Sequence, residues 1–282
     1  MLKIVPGEPA ALIEGREKAL VVADLHLGFE RELSQLGINM PSQTEKLYMR
    51  LRNLIAKHGP SRVILLGDVK HGVPAITEQE WTDIPVFFER LLELGVEVDV
   101  VPGNHDGNIE VLLPSGIEVA QQHGIILGDA GLFHGHTWPD IKMLGCETLV
   151  IGHIHPTITF RDPMGFRITN QVWVKAPCDK NILAKALLQH YKVKFKREDY
   201  PERILKEKFS VELRVKNLII MPSFNDFLSG RAINKASTLR GAIFKDFIGP
   251  ILRSGGVALE RAEIYLLDGT FIGKLDRLST LD

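Results

Sequence analysis

The stretch "KALVVADLH" at residues 18–26 decides the fold. It is an apolar run that closes on polar residues, which reads as a buried strand whose carboxyl end carries Asp24 and His26. Outward from it the pattern alternates. "PSQTEKLYMRLRNLIAKHGP" (41–60) sets Leu47, Leu51, Leu54 and Ile55 at helical spacing, with Ser42 as a cap and His58-Gly59-Pro60 as a stop. "RVILLGDVKHG" (62–72) is strand then turn, and "TEQEWTDIPVFFERLLELG" (77–95) is helix, with Pro85 expected to bend or divide it. "VEVDVVPGNHDGN" (96–108) is again strand then loop. Such alternation predicts a parallel sheet covered by helices, an α/β class whose ligands bind beyond the carboxyl ends of the strands.

From about residue 117 the strands shorten and crowd together: "IEVAQQHGIILG", "AGLFHGH", "ETLVIGHIH", "TITFRD" and "FRITNQVWVKA". They predict a second, more antiparallel sheet packed on the first. "NILAKALLQHY" (181–191) reads as helix, while "VELRVKNLIIMP" and "AEIYLLDGTFIGKL" read as late strands or hairpins. "KVKFKREDYPERILKEKF" (192–209) is the most charged stretch and is expected to be a solvated connection. Without a repeat, a low-complexity linker or a marked boundary, residues 1–282 are expected to form a single domain, with the strand-rich part from about 180 to 282 completing or extending it.

The 282 residues are 45% hydrophobic, enough for a substantial core. The formal net charge of −1 gives no global attraction to nucleic acid or to an anionic membrane. Cys146 and Cys178 have no CxxC spacing and are expected to be free thiols of a reducing cytoplasm. The N-terminus has prolines and charges where a signal peptide needs an apolar stretch, and no run approaches a membrane span. A soluble, cytoplasmic protein is expected.

The polar residues that end the strands form a series. They are Asp24 and His26 in "ADLH", Asp68 in "LGDVKHG", and Asn104, His105 and Asp106 in "PGNHDG". His134 and His136 follow in "FHGHTWP", then His153 and His155 in "GHIHP". A lone histidine is usually structural, and His58, His123 and His190 are read so. Fragments of this kind, each placed after an apolar run, are hard to explain by packing.

The ordered set D-x-H, G-D, G-N-H-D, H and G-H-x-H resembles the motif series of the calcineurin-like metallophosphoesterases, over roughly residues 18–156. The tail, with "LIIMPSFNDFLSG" and "AEIYLLDGTFIGKL", also resembles an archaeal branch related to the SbcD-type nucleases. The resemblance implies a two-sheet sandwich flanked by helices and a hydrolase of phosphoester bonds. It implies that Asp24, His26, Asp68 and His155 hold one divalent ion and Asp68, Asn104, His134 and His153 the other, with His105 unligated and acting as general acid. Of the two histidines in "HGH", it makes the first the ligand.

The chemistry agrees. Phosphoester hydrolysis needs a deprotonated water and neutralised phosphate oxygens, and two divalent ions about 3.5–4 Å apart supply both. A bridging ligand must offer two oxygens, which points to the carboxylate of Asp68. Two dications against the carboxylates of Asp24 and Asp68 and a hydroxide leave a positive surplus that attracts an anionic ester. Mixed imidazole and carboxylate ligation favours Mn²⁺, with Fe, Zn, Ni and Mg as the other ions. His153 and His155 are expected in the loop after their strand, because neighbours one residue apart on a regular strand face opposite ways. Asp106 is a second catalytic candidate that would orient the His105 imidazole or raise its pKa, with a loop cap as the structural alternative. His136 is a candidate either to support a ligand from behind or to touch substrate, and His71, with Lys70 beside it, is a candidate for substrate contact with a solvated loop as the alternative. Trp138 is read as a core residue.

Three functions fit in descending order. The first is a metal-dependent phosphodiesterase or nuclease acting on DNA, RNA or nucleotides. The second is a small-molecule phosphoesterase acting on cyclic nucleotides or phosphomonoesters. The third is a non-catalytic scaffold, ranked last because every motif position is filled. A protein partner or a homo-oligomer is compatible with each.

Overall fold

The computed structural model of the chain describes residues 1–73, 75–162, 164–196, 200–228, 230–235 and 248–278. Its first sheet runs in spatial order β1 (Leu2–Ile4), β2 (Ala10–Glu14), β3 (Lys18–Val22), β4 (Arg62–Leu66), β5 (Glu97–Val101) and β6 (Glu118–Val119). β3 to β6 are parallel, as the strand–helix alternation predicts. β1 and β2 add an antiparallel edge that the sequence reading passed over. α1 (Glu30–Gln35) and α2 (Thr44–His58) link β3 to β4, and α3 (Glu78–Leu92) links β4 to β5.

Strand periodicity sorts the side chains into layers. Along β3, Leu20 and Val22 pack with Leu51 of α2 and Phe88 of α3, whereas Ala19 and Val21 face the second sheet. Leu51 and Phe88 are fully buried, so truncating either to alanine costs about 2–5 kcal/mol. Thr77 starts α3 with a reciprocal cap: its hydroxyl accepts the Glu80 N–H (3.2 Å), and its own N–H donates to Glu80 Oε2 (2.7 Å). Of the two effects expected of Pro85, division does not occur: α3 runs through it from Glu78 to Leu92. Its ring removes a single amide, while Ile84, Phe87, Phe88 and Leu91 bury one face across both halves.

The second sheet contains β7 (Ile125–Leu127), β8 (Ala130–Leu132), β9 (Thr148–Ile151), β10 (Pro156–Arg161), β11 (Arg167–Pro177), β12 (Asn217–Ile220), β13 (Arg231–Ala232), β14 (Glu263–Leu266) and β15 (Phe271–Lys274). The spatial path is β13-β10-β11-β12-β9-β8-β7, with β14 on β11 and β15 beyond it. Most pairs are antiparallel, as expected, but β8, β9 and β12 run parallel, as do β10 and β13, and β6 joins the first sheet instead. β12 lies between β9 and β11, so a strand from the C-terminal third occupies the interior of this sheet.

α4 (Lys180–His190) and α5 (Pro201–Phe209) cover its outer face, where Leu183, Leu187, Ile204 and Leu205 join Val172 and Val174 in one core. The charged stretch 192–209 is therefore not simply a solvated connection. Pro201 opens a helix whose Ile204 and Leu205 are buried, and the charges occupy its other side. Residues 197–199 of that stretch lie outside the described residues. The layers are helix, sheet, sheet, helix: a mixed α/β sandwich of two sheets flanked by helices. Among the described residues no helix is long and apolar enough to cross a membrane.

Candidate metal centre

The polar series falls at the carboxyl ends of β3, β4, β5, β8 and β9. Asp24, His26, Asp68, His153 and His155 all have positive φ (58°, 45°, 49°, 69° and 47°). Non-glycine residues enter this region at a cost of about 1–3 kcal/mol each and stay only where their surroundings hold them. Here the holding contacts are explicit. The N–H groups of Asp24, His26 and Leu27 donate to the carbonyls of Gly67, Asp68 and Val69, zipping the loops after β3 and β4 together. From the far end of the chain, Ser223 Oγ donates to the Asp24 carbonyl (2.8 Å) and Asn225 Nδ2 to that of Leu25 (2.9 Å). The His153 N–H donates to both oxygens of Asp24 (3.1 and 3.0 Å). With the backbone turned this sharply, His153 and His155 escape the opposite-face rule of a strand, and both rings reach the centre.

Asp24, His26 and His155 bring a ligand atom each to within 4.8 Å of one another, and Asp68, His134 and His153 do the same. The two sets adjoin. Asp68 Oδ2 lies 3.5 Å from both His26 Nε2 and His134 Nε2, and Asp24 Oδ1 lies 3.0 Å from His134 Nε2 and 3.3 Å from His155 Nε2. Among the described residues, His26 Nε2 and His155 Nε2 are buried without a hydrogen-bond partner. Imidazole nitrogens buried beside carboxylates and left without a hydrogen-bond partner are what a divalent cation satisfies, so the donor set fits a metal pair. One detail revises the sequence argument: Asp68 Oδ1 accepts the His105 N–H (2.8 Å), which leaves Oδ2 alone between the two sets. Asn104 precedes His105 in this loop and is exposed.

Burial works against every charge here, and the neighbours decide the outcome. Burial opposes the ionisation of Asp24, yet His155 and His134 hold its carboxyl well below the usual range, and Asp68 is lowered in the same way by His134 and His26. Burial also opposes the charge on His134, but Asp68 and Asp24 raise it to about 9. His26 is pushed down to about 3, and His136 and His153 to about 4, first by burial. In metal-free protein His134 is thus the ring of this centre most inclined to hold a proton, and an ion arriving at Nε2 would have to displace it. Uptake of divalent metal at pH 7.5 should release about one proton from this ring. Calorimetry in buffers of different ionisation enthalpy checks this; heats independent of buffer would show that His134 is neutral beforehand.

Two glycines explain how the loops approach so closely. A Cβ on Gly67, whose φ is +81°, would overlap the His134 ring, and one on Gly103 would overlap the Asp68 carboxylate and amide. Gly103→Ala should lower stability by about 1–3 kcal/mol through overpacking. The denaturant midpoint of the metal-free protein measures it, and an unchanged midpoint would mean that the loops have slack.

Asp106 is buried and does not orient the His105 ring. It accepts the N–H groups of Val69 (2.8 Å), Lys70 (3.1 Å) and Gly103 (2.8 Å), clamping the loop after β4 to the loop after β5. Burial first, then Asp68, raises its pKa to about 6. It is a positioning residue. The orienting partner of His105 is the His71 carbonyl, which accepts the His105 Nδ1–H (2.6 Å) and leaves Nε2 for the site. His71 itself is half-buried, with Nδ1 3.2 Å from His26 Nδ1 and Nε2 2.6 Å from Glu32 Oε2. His136 Nδ1 lies 3.0 Å from His134 Nδ1, behind that ring. Both His71 and His136 therefore contact histidines of the two sets. Lys70 is buried, and its Nζ donates to the Gly72 carbonyl. Trp138 packs against the second core and stacks on His190.

Sequence reading missed Ser223 and Asn225 as supports, and it missed Glu80. The buried Glu80 carboxylate accepts the N–H groups of His71 (3.0 Å), Gly72 (2.6 Å) and Thr77, and so shapes the loop after Asp68. The capping-box spacing Thr77 to Glu80 was the available signal.

A two-sheet α/β sandwich with two adjoining His/Asp sets at its strand ends is built to hold a pair of metal ions. The calcineurin-like phosphoesterase family model matches residues 18–213, and the chain belongs to that family. It is a hydrolase of phosphoester bonds, and the family works with a dinuclear metal centre. No curated protein matches the sequence. Among solved structures, the chain is similar to the Pseudomonas putida nuclease MPE, at 20% identity and TM-score 0.49 over 95% of this chain and 98% of that one. It is also similar to Yfce, a phosphoesterase from E. coli, at 22% identity and TM-score 0.33 over 51% of this chain and 73% of that one.

Proposed function

We propose that the chain hydrolyses phosphodiester bonds in nucleic acids or nucleotides with two divalent ions, manganese favoured. The supporting observation is Asp68 Oδ2 placed between His26 and His134, with buried imidazole nitrogens beside it that have no partner. Asp24, His26, Asp68 and His155 would hold one ion, and Asp68, Asn104, His134 and His153 the other. When bound, the ions lower the pKa of water and neutralise the phosphate oxygens. His105 delivers a proton from Nε2 to the leaving oxygen, while the His71 carbonyl keeps Nδ1–H in place. Asp106 holds the two loops that carry Asp68 and His105 in register. The single-domain reading of 1–282 is supported by β12 inside the second sheet, and the cytoplasmic reading by two unpaired thiols.

Nucleic acid is favoured by the hairpin that leaves the site. β10 begins directly after His155, and some 20 Å further on Arg161 pairs across the ladder with Arg167. Like charges directly opposite destabilise a ladder, and a phosphodiester backbone lying across both would offset that repulsion. Exposed Phe166 and Met164 at the tip offer faces for bases. The tail's resemblance to the SbcD-related branch points the same way. Arg161→Glu with Arg167→Glu should lower activity on single-stranded DNA by about 10-fold or more at low salt, each lost phosphate contact steepening the loss. The same pair should leave bis-nitrophenyl phosphate untouched, and equal loss on both substrates would remove the hairpin from the reading.

The second reading, a small-molecule phosphoesterase, is favoured by the net charge of −1. A metal-supplemented screen over a model diester, a monoester, cyclic nucleotides, and single- and double-stranded DNA and RNA separates the two. Hydrolysis of monoesters alone would overturn the diesterase proposal.

A further inference from the structure

We infer that His71, held by Glu32, is a positioning residue that fixes the ring of His26 so that its Nε2 lone pair faces the metal centre. The inference rests on the proposed reading of His26 as a ligand. A carboxylate only accepts hydrogen bonds, so at 2.6 Å from Glu32 Oε2 the His71 Nε2 carries a proton. For two neutral rings the order then follows from the contacts. His71 Nδ1 is a lone pair, and the His26 Nδ1 that lies 3.2 Å from it is the N–H. His26 Nε2 is then unprotonated. This is the nitrogen that is buried without a hydrogen-bond partner, 3.5 Å from Asp68 Oδ2.

His71 is a rigid base for this task. Its N–H is anchored to the Leu27 carbonyl (3.0 Å) and to Glu80 Oε1 (3.0 Å), and its carbonyl accepts the His105 Nδ1–H. The His71 ring meets the His26 ring edge-on, at 5.2 Å and 63°. One residue therefore sets the direction of a metal-facing imidazole through its side chain and of the proton-donating imidazole through its backbone. Glu32 stands on α1, at the rim of the site, so the order of that short helix is tied to the metal centre.

Outer hydrogen-bond partners of ligand histidines are worth about 10–100-fold in metal affinity. In two-site calorimetry with Mn²⁺, His71→Ala and Glu32→Ala should each weaken one of two binding events by that order and leave the other at its wild-type value. Glu32→Gln, whose amide oxygen still accepts from His71 Nε2–H, should restore most of the affinity. In the zinc-loaded protein, long-range ¹⁵N–¹H spectra should show His26 protonated at Nδ1, and His71→Ala should lose or broaden that signal. Wild-type affinity for both ions in both alanine variants would overturn the positioning role, as would a His26 proton on Nε2. Should His71→Ala fail to fold, the exposed Glu32→Ala decides alone. A wild-type chain that takes up no pair of ions would instead fail the reading of the site itself, so the two failures are distinguishable.

Discussion

His105→Ala is expected to keep the fold and both ions and to lose roughly 10²–10⁴-fold in rate on a diester with a poor leaving group. The motive is the wiring of the ring. Nδ1–H is committed to the His71 carbonyl, and the ring centroid stands 4.6 Å from that of His26, so Nε2 is the nitrogen left to deliver a proton at the edge of the site. A departing alkoxide needs that proton, whereas nitrophenolate needs little, so the deficit should shrink on bis-nitrophenyl phosphate. Two other roles give different patterns. A ring that mainly grips the phosphate would slow good and poor leaving groups alike. A ring that is itself a ligand, as its proximity to His26 and His71 would allow, would take metal with it. Rates on two diesters of different leaving-group pKa, measured beside metal content, separate all three. Metal loss, or an unchanged rate on the poor leaving group, would sink the general-acid role.

The part of this site legible in the sequence was the part that breaks a local rule. β3, β4, β5 and β9 are apolar runs that a buried sheet requires, and Asp24, Asp68, His105 and His153 stand beyond their ends where a core would not place them. The glycines of "LGD" and "GNHD" were visible too, although only the structure shows that His134 and Asp68 are what a side chain there would strike. What stayed hidden depends on long-range partners. Asp106 follows a histidine in sequence but spends its oxygens on three backbone amides, two of them from the neighbouring loop. Ser223 and Asn225 support carbonyls some two hundred residues earlier, and although their stretch stood out in the sequence, nothing in it says which carbonyls they hold. α5 was obscured because charge dominates its composition, while burial needs only Ile204 and Leu205 on one side. β6, of two residues, is too short to carry a periodic signal and is recruited by its parallel neighbour β5.

Asp68→Asn carries the largest expected loss at the centre. The substitution keeps the size of the side chain, and the amide oxygen can still accept the His105 N–H now bonded to Oδ1. The change falls on the other atom. Oδ2, placed 3.5 Å from His26 Nε2 and from His134 Nε2, becomes an NH₂ group that presents hydrogens where the two sets meet. A cation on either side then loses its shared anion, and Asp24 alone balances the charge. The protein should retain its fold, fail to hold two ions after dialysis against Mn²⁺, and lose more than the roughly 10²-fold that marks the upper range for outer-shell changes. His136→Ala is the comparison. It removes a contact to His134 Nδ1 at 3.0 Å, on the side of the ring away from the carboxylates, so its effect should stay within about 10–100-fold in affinity. The proton balance gives a second readout. Asp68 is the leading charge that raises His134, so in Asp68→Asn that ring should be neutral nearer the ordinary histidine range, and any residual metal uptake at pH 7.5 should release less than one proton. Equal retention of two ions in Asp68→Asn and His136→Ala would show that Asp68 is not the residue the two ions share.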